Sequence, residues 1–576
     1  MLGLSVVIFL LSEIAPATAS DITVHGTETL VVDYVGDNGP ANEAVYGDDD
    51  EFWLFRNVFD VQLNAPNVET GLRFDAAMFL RPPAPVDPER FVWGEGASGY
   101  TLLNYEDDFR LERIHGTATL GDLEITAGDF YVSFGRGMIL SLIKLDDLGV
   151  DNALRGGRLD YELGERLRLT LLGGVVNAVN LDPITHDVRT DDPLDRIAGV
   201  RVELRAAEPL SVGLHGVVMR PRFKGESDIA PSRLYVDQAP GVAVESGGGF
   251  VELNSGAFYA YVEVDAQQHD KVRQQYDPPE WTSERVAESG QALYGELSYD
   301  FPSVGLKAEG FYYRRWVMEG PPLGPASEYT LARPMAYSQL VTFEPRWLPV
   351  RSLGNEAGGR ITADALIDRT DTQITLFVTA LGYLGGWTRE GEWIDHADVF
   401  VAHPRLELRQ GFGATKAWLS AKGGYRYERS TSRDDDTGDL WHAGLEVFVP
   451  LSGPHGIDAA GELRRHALAV TDSPRPYWVT TASLRYDWAS RFSVGAMYEY
   501  SDQSPGERAS ISGWELPLLR QHYFMGVVSG QAKIPGGTLV LRLYGGSQRG
   551  GVKCTGGVCR EYPDSVGAKL EATYRF

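Results

Sequence analysis

Residues 566–576 read VGAKLEATYRF. Counting back by two from Phe576 gives Tyr574, Ala572, Leu570, Ala568 and Val566, and the positions between hold Arg575, Thr573, Glu571, Lys569 and Gly567. Successive side chains of a strand point to opposite faces, so this segment carries one apolar and one mostly charged face. A helix would scatter the same residues around its axis.

The pattern recurs along the chain. RLRLTL sets Leu167, Leu169 and Leu171 against Arg166, Arg168 and Thr170. VRVELR sets Val200, Val202 and Leu204 against Arg201, Glu203 and Arg205, and PRLELRQ sets Leu406 and Leu408 against Arg405, Glu407 and Arg409. TLVLRLYG alternates Leu539, Leu541 and Leu543 with Val540, Arg542 and Tyr544, and RFSVGAMYEY puts Phe492, Val494, Ala496, Tyr498 and Tyr500 on one face. Strict alternation in segments of about ten residues marks the strands of a transmembrane β-barrel. Pairing segments across short turns predicts eleven hairpins: 51–64 with 69–81, 110–121 with 123–135, 152–163 with 166–176, 196–206 with 210–220, 247–254 with 257–267, 290–301 with 304–317, 358–368 with 372–384, 397–409 with 414–428, 438–450 with 456–469, 477–487 with 491–501, and 520–533 with 537–546. A strand within 22–35 and one at 565–576 complete an all-β, antiparallel barrel of about 24 strands, within a range of roughly 20 to 26.

Loop lengths sort in the same way. Short connections such as Gly121-Asp122, Gly164-Glu165, Pro302-Ser303 and Pro535-Gly536-Gly537 alternate with long polar ones at 82–109, 221–246, 268–289 and 318–335. Short turns on one side and long loops on the other are the outer-membrane arrangement, and Trp316, Trp478, Trp488 and Tyr500 near strand ends suit interfacial girdles. The terminal aromatic residue, with apolar residues at alternate upstream positions, resembles the C-terminal signature of bacterial outer-membrane barrels. That resemblance implies that the closing strand, with Phe576 and Tyr574, is the assembly signal read by the barrel-assembly machinery. The block GRGM…LRGG, from Gly135 to Gly157, looks like that of uncharacterised bacterial outer-membrane proteins and assigns no substrate.

The remaining signals agree with an exported chain. An apolar run from Leu2 to Leu11 precedes Ala17-Thr18-Ala19, which predicts a signal peptide over 1–19 and a barrel domain over 20–576. The alternative, an anchor helix, has too short an apolar run to span a bilayer. Two cysteines, Cys554 and Cys559 in CTGGVC, are expected to close a disulfide loop in an oxidising compartment, with two free thiols as the other reading. A net charge of −27 opposes nucleic-acid binding.

A barrel of this size is too wide for side chains to fill. Strands begin by about residue 51, which leaves no room for a separate plug domain of the kind that precedes the barrel in TonB-dependent receptors. One stretch breaks the alternation: FGRGMILSLIKLDDLGVDNALRGG, 134–157. Its apolar run Met138–Leu145 predicts a short helix that folds inward, with 134–158 as the constriction and Arg136, Arg155 and Arg158 facing Asp146, Asp147 and Asp151. The other reading is an external loop or a strand extension. Arg166, Arg168, Arg201, Glu203, Arg205, Glu296, Lys307, Glu309, Arg405, Glu407, Arg409, Arg485, Asp487 and Arg542 are expected to line the lumen. Acid runs at 48–51 and 434–436 fall in external loops without calcium-loop spacing. No HExxH, GxSxG or P-loop occurs, and the histidines are scattered, so neither enzyme chemistry, metal nor cofactor is expected. The sequence thus predicts a monomeric, porin-like channel for small hydrophilic solutes, held in outer-membrane lipid. A receptor or scaffold barrel is the alternative, a barrel enzyme a weaker one, and a soluble secreted β protein the structural alternative.

Overall fold

The computed structural model describes residues 22–37, 51–82, 105–145, 149–178, 180–183, 186, 195–220, 243–277, 280–316, 355–384, 386–387, 393–394, 399–430, 437–467, 476–489, 491–502, 508–511, 514–517, 521–555, 558–562 and 565–576, with the side chains of 178, 269–288, 383, 386–387, 393–394, 399, 414, 430, 437, 508–517 and 551–564 outside the description. Predictions for 1–19, Asp146, Asp147, 336–354 and the acid runs Asp48–Asp50 and 434–436 fall outside the described residues, as do the side chains of Cys554 and Cys559. The backbones of those two cysteines stand opposite each other in a short ladder.

Twenty-four strands form the wall. They are β1 (Thr23–Gly36), β2 (Phe52–Ala65), β3 (Val68–Leu80), β4 (Asp108–Leu120), β5 (Leu123–Phe130), β6 (Val150–Leu163), β7 (Leu167–Ala178) and β8 (Arg196–Ala207). Then come β9 (Leu210–Arg220), β10 (Val244–Ser255), β11 (Phe258–Asp277), β12 (Glu280–Asp300), β13 (Val304–Arg314), β14 (Glu356–Ile367), β15 (Thr372–Tyr383) and β16 (Val399–Phe412). The last eight are β17 (Ala417–Ser430), β18 (Thr437–Pro450), β19 (His455–Ala467), β20 (Tyr477–Trp488), β21 (Phe492–Ser501), β22 (His522–Ile534), β23 (Gly537–Gln548) and β24 (Ser565–Arg575). Each is antiparallel to its neighbours, and β1 pairs with both β2 and β24, so the sheet has no free edge. Closure matters because an unpaired backbone group inside lipid has no water to satisfy it.

Alternation decides which face is which. Leu171, Val200, Leu204, Leu297, Leu406, Leu463, Leu484, Leu541, Leu543 and Leu570 are exposed on one side of the wall. The charged residues between them lie on the other. Lipid tolerates the first face and a water-filled interior the second. Trp478 and Trp488 are exposed, as a girdle requires, but Trp316 is buried and its indole N–H bonds the Met138 carbonyl inside the barrel. The stretch 268–289, expected as a long loop, continues the β11–β12 ladder instead, from Gln268 opposite Ser289 to Asp277 opposite Glu280.

The closing seam uses Phe576. Its N–H donates to the Gly26 carbonyl and its carbonyl accepts from the Gly26 N–H, both at 3.0 Å. Its ring lies over Gly26, where a Cβ would come within 2.2 Å of it, and stacks on Phe59 and Tyr574. Phe576→Ala keeps the backbone pair and removes that half-buried ring, a loss of about 1–2 kcal/mol at the seam. The folded fraction on refolding into lipid vesicles, read as the heat-modifiable gel band, is expected to fall; an unchanged fraction would remove the seam role.

Candidate functional site

The wall is interrupted at β5, which has 8 residues where its neighbour β6 has 14. Pairing of β4 with β5 stops at His115 opposite Gly128, although β4 runs on to Asp108 against β3. Gly128 is the point of departure: it has φ +102°, and a Cβ there would lie 2.1 Å from the Ile114 carbonyl oxygen. Side chains replace the missing strand bonds. Asp129 accepts from the Ile114 N–H at 2.8 Å, while Arg155 and Asn177 each donate to the Glu112 carbonyl at 3.0 Å.

Beyond β5 the chain turns into the barrel as a small hairpin, Val132–Phe134 paired with Leu140–Leu142. Lys144 and Leu145 then rejoin the wall beside β6. The Met138–Leu145 run is therefore strand and turn, and the expected helix is absent. The Gly137 N–H bonds the Phe134 carbonyl, and Gly135 sits at φ +56°, a left-handed conformation that closes the turn without strain only for glycine. Phe134, Met138, Ile139, Leu140 and Leu142 are buried against Ile197, Val217, Met219, Phe250, Tyr261, Tyr294, Phe311, Tyr313 and Trp316, all on the face away from the exposed leucines. Five such side chains bring about 7–15 kcal/mol of gross hydrophobic stabilisation, so the hairpin is a seated element of the lumen.

Its tip carries Arg136. The backbone N–H donates to Glu263 at 2.8 Å, and the guanidinium donates to the Tyr259 hydroxyl at 2.8 Å and to Glu296 at 3.2 Å. It also lies 4.6 Å above the Tyr261 ring. Burial opposes the charge, but Tyr259 and Glu296 outweigh it and hold the Arg136 pKa above its ordinary value. The charges continue along the wall. Lys307 reaches Glu296 and Glu309 at 3.1 Å each, and Arg360 reaches Glu309 at 2.6 Å.

Among the described residues, Asp151, Arg155 and Arg158, also assigned to the constriction, are not brought together there. Asp151 accepts from Arg113 at 2.8 Å, Arg73 at 3.0 Å and the Tyr131 hydroxyl at 2.6 Å, a buried knot at the root of the hairpin. Burial and the Asp151 charge both raise the Tyr131 pKa and keep its hydroxyl a donor. Asp75 completes the knot, accepting from Arg73 and Arg56. Arg155 binds Asp129 across the ladder, and Arg158 binds Asp160 two residues along.

Most of the charges assigned to the lumen occupy the inner face. Arg201 pairs with Glu203, Arg485 with Asp487 and Arg542 with Glu571, and Arg168 lies within 4 Å of Asp160 and Glu162. Arg405 and Arg409 lie over the rings of Phe377 and Trp418, with Glu407 between them on the strand, and Arg205 follows Glu203 on its face. Arg166 is the exception: it sits in the exposed turn before β7, its carbonyl bonded to the Arg205 N–H. Sequence reasoning missed Glu263, Asp265, Tyr261, Arg73, Arg113 and His215. The signal was there in YAYVEVD, 259–265, whose inner face is Tyr-Tyr-Glu-Asp. The same three-dimensional view corrects the expectation that no metal-ligand cluster exists, because His215, Glu263 and Asp265 offer ligand atoms within 4.8 Å of one another.

A family model described as "Family of unknown function (DUF6029)" matches residues 92–315 and 464–576. The chain belongs to that family. The matched residues hold the inner hairpin, its seat on β7–β13 and the closing strands. No curated protein matches the chain. Among solved structures it is similar to the P pilus usher (PapC) translocation pore, at 8% identity over 96% of this chain and 99% of that one, with a TM-score of 0.39. It is also similar to the copper transporter OprC, at 10% identity over 96% and 80% with a TM-score of 0.45. A mutant of the ferric enterobactin receptor (PfeA) from Pseudomonas aeruginosa gives 9% identity over 96% and 80%, with a TM-score of 0.46. This DUF6029 chain is a large outer-membrane β-barrel, apolar outside and charged within, and belongs in the bacterial outer membrane.

Proposed function

We propose that the barrel is a constricted, water-filled channel that passes small hydrophilic solutes passively, working as a monomer and making or breaking no bonds. The observation that carries this reading is the asymmetry of the lumen. The hairpin occupies the side lined by β7–β13. Elsewhere on the inner face Lys422, Arg485 and Arg542 keep between 43% and 57% of their side chains exposed. Charges so placed are hydrated, and hydrated walls beside a fixed inward segment are what a selective pore requires. The Arg136–Glu296–Lys307–Glu309–Arg360 series gives the constricted side a fixed line of alternating charge. A transverse line of this kind orders polar solutes as they pass.

Planar-bilayer recording of the refolded chain is the test. Stepwise openings with a steady unitary conductance are expected, and a reversal potential in a salt gradient gives the ion preference. A folded, heat-modifiable preparation that never opens would overturn the channel and favour a surface receptor or scaffold.

A further inference from the structure

We propose that His215, Glu263 and Asp265 form a binding site for one divalent transition-metal ion, of the Zn²⁺ type, on the inner wall beneath the tip of the hairpin. The three residues come from strands that are not neighbours. His215 lies on β9 and both acids on β11, with β10 between them. Gly248 is the register partner of both His215 and Asp265, and a Cβ on it would lie 2.0 Å from Asp265 Oδ1. The missing side chain lets His215 Nε2 reach Asp265 Oδ1 at 2.7 Å and Glu263 Oε1 at 3.6 Å across the intervening strand.

The hairpin roofs this site. Phe134 stacks parallel to the His215 ring at 6.5 Å, and a Cβ on Gly135 would lie 1.9 Å from Glu263 Oε1. All three side chains are fully buried, at 0% exposure. Within that enclosure Glu263 Oε1, Asp265 Oδ2 and His215 Nδ1 have no hydrogen-bond partner. Tyr261 and the Arg136 N–H satisfy only Glu263 Oε2.

Charge balance points to a cation. Among the described residues, His215 is the sole side-chain cation within ion-pair distance of either carboxylate. Two carboxylates and one imidazole sealed from water are costly to hold together without a further cation, because burial penalises uncompensated negative charge. A divalent ion on a neutral imidazole and two carboxylates brings the sum to zero. One nitrogen and carboxylate oxygens suit zinc and its first-row neighbours. Because Glu263 also holds the Arg136 N–H, the ion would fix the ligand on which the hairpin tip rests. This inference does not depend on the channel reading.

The test uses the full chain without a histidine tag, carrying Cys554→Ser and Cys559→Ser so that thiols contribute nothing. The folded protein, verified by its heat-modifiable migration, is stripped with chelator, dialysed against Zn²⁺ and freed of excess, and zinc is counted by mass spectrometry. About one ion per chain is expected, with His215→Ala and Glu263→Gln weakening affinity at least about tenfold. Since either variant could misfold, Co²⁺ loading of the parent is the second measurement. Visible d–d absorption that Zn²⁺ displaces is expected. A folded parent that retains no zinc and shows no zinc-displaceable Co²⁺ spectrum overturns the site, as does a folded His215→Ala that binds like its parent.

Discussion

Excising Val132–Ile143 and joining Tyr131 to Lys144 through a short glycine–serine link is expected to raise unitary conductance on the order of threefold, because the lumen gains the cross-section that the hairpin occupies. The graft is geometrically modest. Val132 and Leu142 are cross-strand partners, so the two cut ends already lie side by side. The wall keeps every ladder between its 24 strands and loses one backbone bond, from the Asn152 N–H to the Ile143 carbonyl, since the hairpin strands pair with each other. What the excision costs is cover for an apolar seat, where Val217, Met219, Phe250, Tyr294, Phe311 and Tyr313 would meet water. Current fluctuations in the open state are therefore expected to increase as well. Gly135→Val is the milder form of the same experiment. Its Cβ would meet Glu263 and its φ of +56° is unfavourable for a β-branched residue, so the tip lifts while the rest of the hairpin stays seated. A smaller rise is expected. If the excised barrel folds and conducts as the parent does, the hairpin is not the constriction.

The wall was legible because its physics is local. Leu541, Leu543 and Leu570 alternate with charged residues since each strand separates lipid from water, and that demand repeats every two residues. The hairpin obeys no such rule. Its apolar residues are buried in a single cluster inside the lumen, so no alternating face remains and the run Met138–Leu145 imitates a helix. Its seat is written more than fifty residues downstream. Val217 and Met219 lie in the core cluster while Val218 between them is exposed, a stretch apolar on both faces that a strand with a watery inner side does not need. The charges misled in a different way. On a strand, residues two apart share a face, and Arg73–Asp75, Arg158–Asp160, Arg201–Glu203, Arg426–Glu428 and Arg485–Asp487 all pair at that spacing. An arginine near a loop therefore finds its partner in its own ladder before it finds one across the lumen. The meeting of His215 with Asp265 lay beyond sequence reasoning for a third reason: only the register places Gly248 between them.

Replacing Arg113 with methionine is expected to destabilise the barrel by roughly 3–5 kcal/mol, the cost of leaving the buried Glu112 without its cation and Asp151 with Arg73 alone. Arg113 has only 8% of its side chain exposed, and Glu112 and Asp151, its ion-pair partners, have 2% and 8%. It also donates to the Asp151 and Glu112 carbonyls, so the substitution strands the Glu112 carboxylate, leaves Asp151 to Arg73 and Tyr131, and loosens two backbone groups at the place where β5 leaves the wall. Arg485→Met is the control. That arginine pairs with Asp487 two residues along its strand and is 57% exposed, and an exposed pair contributes no more than about 1 kcal/mol. The two variants lose the same charge and the same length of side chain, and they differ in burial and in the groups left without a partner. Urea unfolding from lipid vesicles should therefore show a large midpoint shift for the first and a small one for the second. Adding Glu112→Gln to Arg113→Met should recover part of the loss, because it removes the stranded charge while Asp151 keeps Arg73. Equal shifts for Arg113→Met and Arg485→Met would mean that water reaches the root of the hairpin, and the knot around Asp151 would then not anchor the inward turn.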